Sequence, residues 1–259
     1  IVARVRGTSP RDMTPERTGC GGKVWLEREI PLDWQFQIMT VAPGAEVEPK
    51  LTFSGTGLKV GVVAGGYGSE GILELLRKTK GLDAAPVGIG SFASHNCRIL
   101  VFPQMRYPTS EAHARTVEEF ARNGGGVITT HDAVGYRRHP KIFESVCGGG
   151  VARTRSGTWQ TAGNHPVTKG LPVGRALSRG YYDQVEMQNG VDGTVVAVGQ
   201  ASKAPVIVVG PFGKGRYVAC GLLLGMEHDP FGGGSREAPP APDEAGMLLN
   251  AIDWCAGNE

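Results

Sequence analysis

Three histidines stand where the neighbouring residues give an imidazole chemical work. His131 lies in Thr129-Thr130-His131-Asp132-Ala133, directly after the apolar run Val127-Ile128. At a strand-to-helix turn the ring would tend to stay neutral, because a helix N-terminus disfavours a cation. A neutral ring serves as a general base or a hydrogen-bond donor. Asp132 would orient a partner or simply cap the helix. His165 opens the loop His165-Pro166-Val167-Thr168, as a functional group or as a loop histidine tethering a carbonyl. His228 sits in Glu227-His228-Asp229, which reads as a metal-ligand cluster or as a solvated loop. Tyr67 follows a strand on the Gly-rich turn Gly65-Gly66-Tyr67-Gly68, where backbone can approach a ligand closely. Tyr136 and Arg137 follow the His131 turn and suit sugar hydroxyls or an anion, or else a solvated helix face.

Other chemistries are disfavoured. The chain has no H-E-x-x-H and no G-x-S-x-G. Its five cysteines, Cys20, Cys97, Cys147, Cys220 and Cys255, are scattered without a C-x-x-C pair, so free thiols are expected. No cofactor is predicted; a divalent metal stays open through the three histidines. A net charge of +2 with no basic stripe argues against nucleic acid, and no run reaches membrane-spanning length. The chain starts at Ile1, as a processed or trimmed product would. Its compartment is left open between the cytoplasm and export with the signal already removed.

The elements that must position these residues are legible in outline. Residues 1–56 are rich in turns, with strands expected at 23–27 and 34–39. They read as a β-rich extension, or as the tail of an upstream domain in a larger parent chain. From residue 57 the pattern changes. Apolar strands are expected at 58–64, 98–102 and 127–130. Helices capped by Ser69 and by Thr109 or Ser110 fall between them. Strand and helix alternating in this way predict an α/β fold with a mostly parallel central sheet. Strands at 181–187, 194–198, 205–209 and 216–222 follow, and a closing helix runs over 243–255. The Gly- and Pro-rich stretch 227–242 reads as a mobile flap.

Leu100-Val101-Phe102 with Gly124-Gly125-Gly126-Val127-Ile128, together with the turn at His131 and the loop at His165, makes residues 57–259 resemble the ThuA-like (trehalose-utilisation) family of the class I glutamine amidotransferase superfamily. The first of these stretches looks like the family's strand, helix and glycine turn. Thr130-His131-Asp132-Ala133 resembles its Gly-His-Ser-Ala turn, with Thr130 and Asp132 as departures. His165-Pro166-Val167-Thr168-Lys169-Gly170-Leu171-Pro172 matches its His-Pro-Ile-Thr-x-Gly-Leu-Pro segment. Tyr181-Tyr182-Asp183 stands near its acidic-Tyr strand, and Leu248-Leu249-Asn250-Ala251-Ile252-Asp253-Trp254 resembles its closing helix. The resemblance implies a flavodoxin-like three-layer sandwich with the functional turn at the carboxyl edge of the sheet. It also implies that His165 lies near the His131 cleft.

Amidotransferases hold a cysteine in a G-x-C-x-G elbow, where a strained turn presents the thiolate at a helix N-terminus. The matching turn here carries no sulfur, so glutaminase chemistry is not expected. Two functional readings follow. In the first, the protein acts on a sugar or oxidised sugar by acid/base chemistry, as a hydrolase, lyase or isomerase. His131, Asp132, His165 and His228 would be catalytic, and Tyr67, Tyr136, Arg137, Tyr182 and Asp183 would bind substrate. In the second, it is a non-catalytic ligand-binding or assembly module, since fold does not fix function. A homo-oligomer fits either. An open pocket shared by His131 and His165 would favour the enzyme, and a sealed His131 or His165 the module.

Overall fold

The computed structural model describes residues 2–6, 35–39, 57–105, 108–155, 158–228 and 234–258. The chain divides into two compact units, Ile1–Lys50 and Leu51–Glu259. In the first, β1 (Val2–Arg6) pairs antiparallel with β2 (Gln35–Met39). The strand expected at 23–27 lies outside the described residues.

The second unit begins with β3 (Leu58–Val63), β4 (Gly66–Tyr67), α1 (Ser69–Lys78) and β5 (Leu82–Val87). β6 (Ile99–Phe102), β7 (Gln104–Met105), α2 (Glu111–Arg122) and β8 (Gly126–Thr130) follow. The middle of the unit is β9 (Cys147–Arg155), β10 (Trp159–Thr161), β11 (Asp183–Asn189) and β12 (Thr194–Gly199). It closes with β13 (Pro205–Phe212), β14 (Gly215–Cys220), β15 (Met226–His228), β16 (Ser235–Glu237) and α3 (Pro242–Ala256).

Eight strands form one sheet in the order β10-β12-β13-β14-β8-β6-β3-β5. The run β14-β8-β6-β3-β5 is parallel, and β10-β12-β13-β14 is antiparallel. The connections explain the division. Helices α1 and α2 return the chain to the same end, as parallel pairing requires, whereas β13 and β14 are joined by the two-residue turn Gly213-Lys214. Gly213 adopts φ 60°, which the first position of such a turn demands.

Side chains alternate across the sheet. Val60, Val62, Ile99 and Val101 pack in one apolar cluster with Ile72, Leu73 and Leu76 of α1 and Met247, Leu248 and Ile252 of α3. Leu100, Phe102, Val127 and Ala219 pack in another with Val117 and Ala121 of α2 and Val185 and Met187 of β11. Adjacent residues of one strand point to opposite faces, so the two clusters lie on opposite sides. Leu76 is fully buried. Its replacement by Ala would cost about 2–5 kcal/mol through lost transfer energy and the void left behind.

Two glycines lock the loops at the carboxyl ends of the parallel strands. Gly68 and Gly225 both have positive φ, 84° and 78°. A Cβ on Gly68 would strike the carbonyl of Leu224, and one on Gly225 the carbonyl of Gly68.

Several local expectations change. Gly68, not Ser69, holds the N-cap position of α1, and the Ser69 hydroxyl donates to the Gly66 carbonyl at 2.8 Å. The 227–242 stretch is no free flap in its described part. β15 pairs with β16, the Ala238 amide donates to the Gly225 carbonyl, and the Glu237 carboxylate accepts from the Glu70 amide at 2.6 Å. β5, β9 and β10 arise where no strand was expected. β5 is an edge strand and so tolerates Pro86.

Candidate functional site

β8 ends at Thr130, and the chain turns sharply. His131 has φ 48°, a left-handed conformation that residues with a Cβ rarely adopt. A 3-10 turn, His131–Val134, follows instead of an α-helix, and Thr130 makes no side-chain cap. The Asp132 carbonyl accepts from the Gly135 and Tyr136 amides at 3.2 and 3.0 Å, which fixes the turn. The expected helix dipole is therefore missing. Two carboxylates take its place and act in the opposite sense.

The His131 ring is 1% exposed. Its Nδ1 lies 2.9 Å from Asp132 Oδ1 and its Nε2 3.7 Å from Asp183 Oδ1. Among the described residues neither ring nitrogen has an aligned hydrogen-bond partner, so these are ionic contacts across short distances. Each carboxylate divides its oxygens. Asp132 Oδ2 accepts from Gln104 Nε2 at 3.4 Å and lies 3.7 Å from Arg137 Nη1. Asp183 Oδ2 lies 3.3 Å from Arg153 Nε. Four elements converge to build this cluster: the turn after β8, β9, the start of β11, and β7.

The electrostatics follow from that arrangement. Burial, the largest influence, pulls the His131 imidazole down, but the two carboxylates outweigh it and its pKa is raised. Burial pushes Asp132 up. His131, Arg137 and His139 more than reverse this, and its pKa is lowered. The sequence suggested a ring kept neutral; the two carboxylates instead favour its protonated form. A protonated imidazole has no vacant nitrogen with which to act as a general base.

Around this sealed centre lie most of the other candidates. Tyr67 pairs with Gln104 across β4 and β7 and is partly exposed. The Arg137 guanidinium stands 5.3 Å from the centre of the half-buried Tyr136 ring, and half of its own side chain is exposed. Tyr182, next to Asp183, stacks on Tyr181 at 4.6 Å and meets His228 edge-on at 5.7 Å. His228 is exposed at the end of β15; Asp229 lies outside the described residues.

His165 is elsewhere. It caps the 3-10 turn Pro166–Thr168, its Nδ1 accepting from the Val167 amide at 3.1 Å. Its ring meets Trp254 edge-on at 5.2 Å, and Arg216 stacks on the same indole. Arg216 pairs with Gly126, the first residue of β8, whereas His131 follows the last. Five residues of strand, roughly 16 Å, separate the two edges. The shared cleft implied by the family resemblance is therefore not formed. Burial, then Arg216, lower the His165 pKa.

Two members of the cluster were missed from the sequence. Gln104 could have been found, because it follows β6, the neighbour of β8, at the edge where ligands bind in such sheets. Arg153 lies beyond the run Gly148-Gly149-Gly150, which carries no apolar pattern, and nothing local marked it. The four described cysteines offer no exposed nucleophile. Cys97, Cys147, Cys220 and Cys255 are buried free thiols, and burial pushes Cys147 up to about 11 and Cys220 to about 12. Among the described residues, no group of three or more His, Cys, Asp or Glu side chains is arranged to hold a metal, and no helix is long and apolar enough to cross a membrane.

No protein-family model matches the sequence, and neither does any curated protein. Solved structures do match in fold. A ThuA-like protein from Parabacteroides merdae superposes with TM-score 0.55 at 16% identity, covering 78% of this chain and 91% of that one. A ThuA-like protein from Bacteroides uniformis gives 0.56 at 15%, covering 76% and 89%. A β-galactosidase from Bacillus circulans gives 0.57 at 13%, covering 78% of this chain and 31% of that longer one. At these identities the likeness is one of fold, and the fold is ThuA-like.

Proposed function

Starting from that ThuA-like fold, we propose that residues 57–259 form a ligand-binding module rather than an acid/base enzyme. The observation that carries this is the sealing of His131 between Asp132 and Asp183. A proton donor or acceptor must reach the atom it serves, and this ring faces two carboxylates and is almost wholly shielded from solvent. The rim outside them is better suited to binding. Tyr67, Tyr136 and Tyr182 offer aromatic surface, His228 a donor, and Arg137 a planar cation for a carboxylate. A sugar or oxidised sugar fits that chemistry. The buried charges would hold the floor rigid while the rim makes contact. The finer reading of the fold is a flavodoxin-like three-layer sandwich, supported by apolar clusters on both sheet faces, with residues 1–56 as a β-rich extension.

The test is a thermal-shift screen of the full chain against neutral sugars, uronic and aldonic acids, and divalent metals. A ligand at a hundred times its Kd stabilises by about 2.7 kcal/mol, which moves the melting temperature by several degrees. A sugar acid should produce the shift, Arg137→Ala should remove it, and the sugar should remain unchanged by NMR after prolonged incubation. No shift from any sugar would sink the reading. Turnover abolished by His131→Gln would replace it with the acid/base enzyme, for which the φ of 48° at His131 is the specific support, since strained backbone gathers at catalytic turns.

A further inference from the structure

At the opposite edge of the sheet lies a cavity of about 440 Å³, within the range of small-molecule sites. Its wall is the loop from the end of β10 to Val173, including Thr161, Asn164, His165, Lys169 and Leu171. The wall is preorganised. The Thr168 hydroxyl bridges the carbonyls of Gly163 and His165 at 3.1 Å each, and Asn250 of α3 donates to the carbonyls of Val167 and Lys169 at 3.4 and 2.8 Å. A loop held this way loses little entropy when a ligand arrives.

Three features of the wall point to an occupant. The Thr161 hydroxyl is buried, with the residue 5% exposed, and has no hydrogen-bond partner among the described residues. Such a group costs about 1–3 kcal/mol unless something satisfies it. Val173 is 71% exposed on the rim, next to Leu171, so an apolar surface waits there. Of the ten residues in the wall none is Asp or Glu, and Lys169 carries its formal charge. The His165 Nδ1 is engaged as an acceptor, which leaves Nε2–H as the ring's donor. Donors and one cation on one side, apolar surface on the other, describe the complement of a small amphipathic anion.

We infer that this cavity binds a small monocarboxylate with an aliphatic body, its carboxylate taken by Thr161 and Lys169 and its chain laid on Leu171 and Val173. The site is separate from the carboxyl-edge rim and does not depend on what that rim binds.

The experiment titrates acetate, 4-methylpentanoate and the neutral 4-methylpentanamide into the full chain, followed by calorimetry and protein-observed NMR. Saturable binding is expected for 4-methylpentanoate, weaker binding for acetate, which lacks the apolar body, and weaker binding for the amide. Thr161→Val removes the hydroxyl with its shape kept. It should leave the melting temperature unchanged or raised while weakening the acid about three- to tenfold. Lys169→Met should erase the preference for acid over amide. Arg137→Ala should change neither result. No saturable binding by the acid, or binding untouched in both the Thr161 and Lys169 variants, would overturn the assignment.

Discussion

His131 opens a 3-10 turn and His165 caps one, at opposite edges of the same sheet, yet their protonation is driven in opposite directions. The more deeply buried ring is the one whose pKa is raised. Burial disfavours the cation at both. The difference lies in the companions. Two carboxylates face His131 within 3.7 Å, whereas His165 faces an indole, a backbone amide it caps and the Arg216 charge. The depth of a histidine therefore says little about its charge until its neighbours are counted. A strand-to-helix turn in a sequence shows the depth and hides the neighbours.

The comparison can be broken most forcefully at Asp183. Asp183→Ala leaves His131 facing one carboxylate and Arg153 without its partner. Removing one member of a buried pair costs about 3–5 kcal/mol, to be read from urea denaturation at pH 6. A loss under about 0.5 kcal/mol would mean that the pair contributes nothing.

The pH dependence sharpens it next. The folded pKa of His131 is raised above 6.5, so its contribution is fully present below pH 6.5 and is lost as pH climbs through the folded value. The folded pKa of His165 is lowered, so its contribution is present above pH 6.5 and is lost as pH falls through the folded value. Asp132, lowered from 3.8, loses its contribution only as pH falls below that range. Proton NMR should find the two rings titrating on opposite sides of 6.5. Stability against pH should lose its falling limb in His131→Gln and its rising limb in His165→Gln. Rings titrating together would end the contrast.

A third buried group tests whether backbone amides can replace counter-ions. Glu244 accepts from the Gly180 and Ala241 amides at 3.0 Å each, and burial still pushes its pKa to about 8. Its folded pKa is above the ordinary 4.5, so the native state loses stability as pH rises from 4.5 to 8. Glu244→Gln should flatten that loss, gaining relative to the parent at pH 8 and little at pH 5. The smallest effect belongs to Arg137→Ala. Its side chain is half exposed, so stability should change by less than about 0.5 kcal/mol.

What the sequence disclosed depended on how local the signal was. Val60, Val62, Ile99, Val101 and Ile128 lie in continuous apolar runs, so the parallel strands were legible, and Ser110 caps α2 as its position suggested, accepting from the His113 amide at 3.2 Å. β9 was hidden because Gly148-Gly149-Gly150 carries no apolar pattern, although β11 pairs along it. β5 was hidden because Ala84, Ala85 and Pro86 carry little apolar bulk. At the site, His131, Asp132 and Asp183 were all singled out, but their mutual contact was not. It rests on pairing between β9 and β11, which brings residue 183 across some fifty positions of chain. The expected meeting of His131 and His165 failed for a similar reason. Which end of a strand a loop packs against is a property of the sheet, not of the loop.

The Gly68–Gly225 contact has a consequence for that sheet's carboxyl edge. The strands leading into it, β3 and β14, are separated by β6 and β8, roughly 14 Å at ordinary strand spacing. Two loops that touch across that span form an arch over the strand ends between them. Each glycine is the other's keystone, since a single methyl on either would be driven into peptide backbone. Gly68→Ala would thus act as a wedge. It would pry the span apart from above without altering one charged residue beneath it.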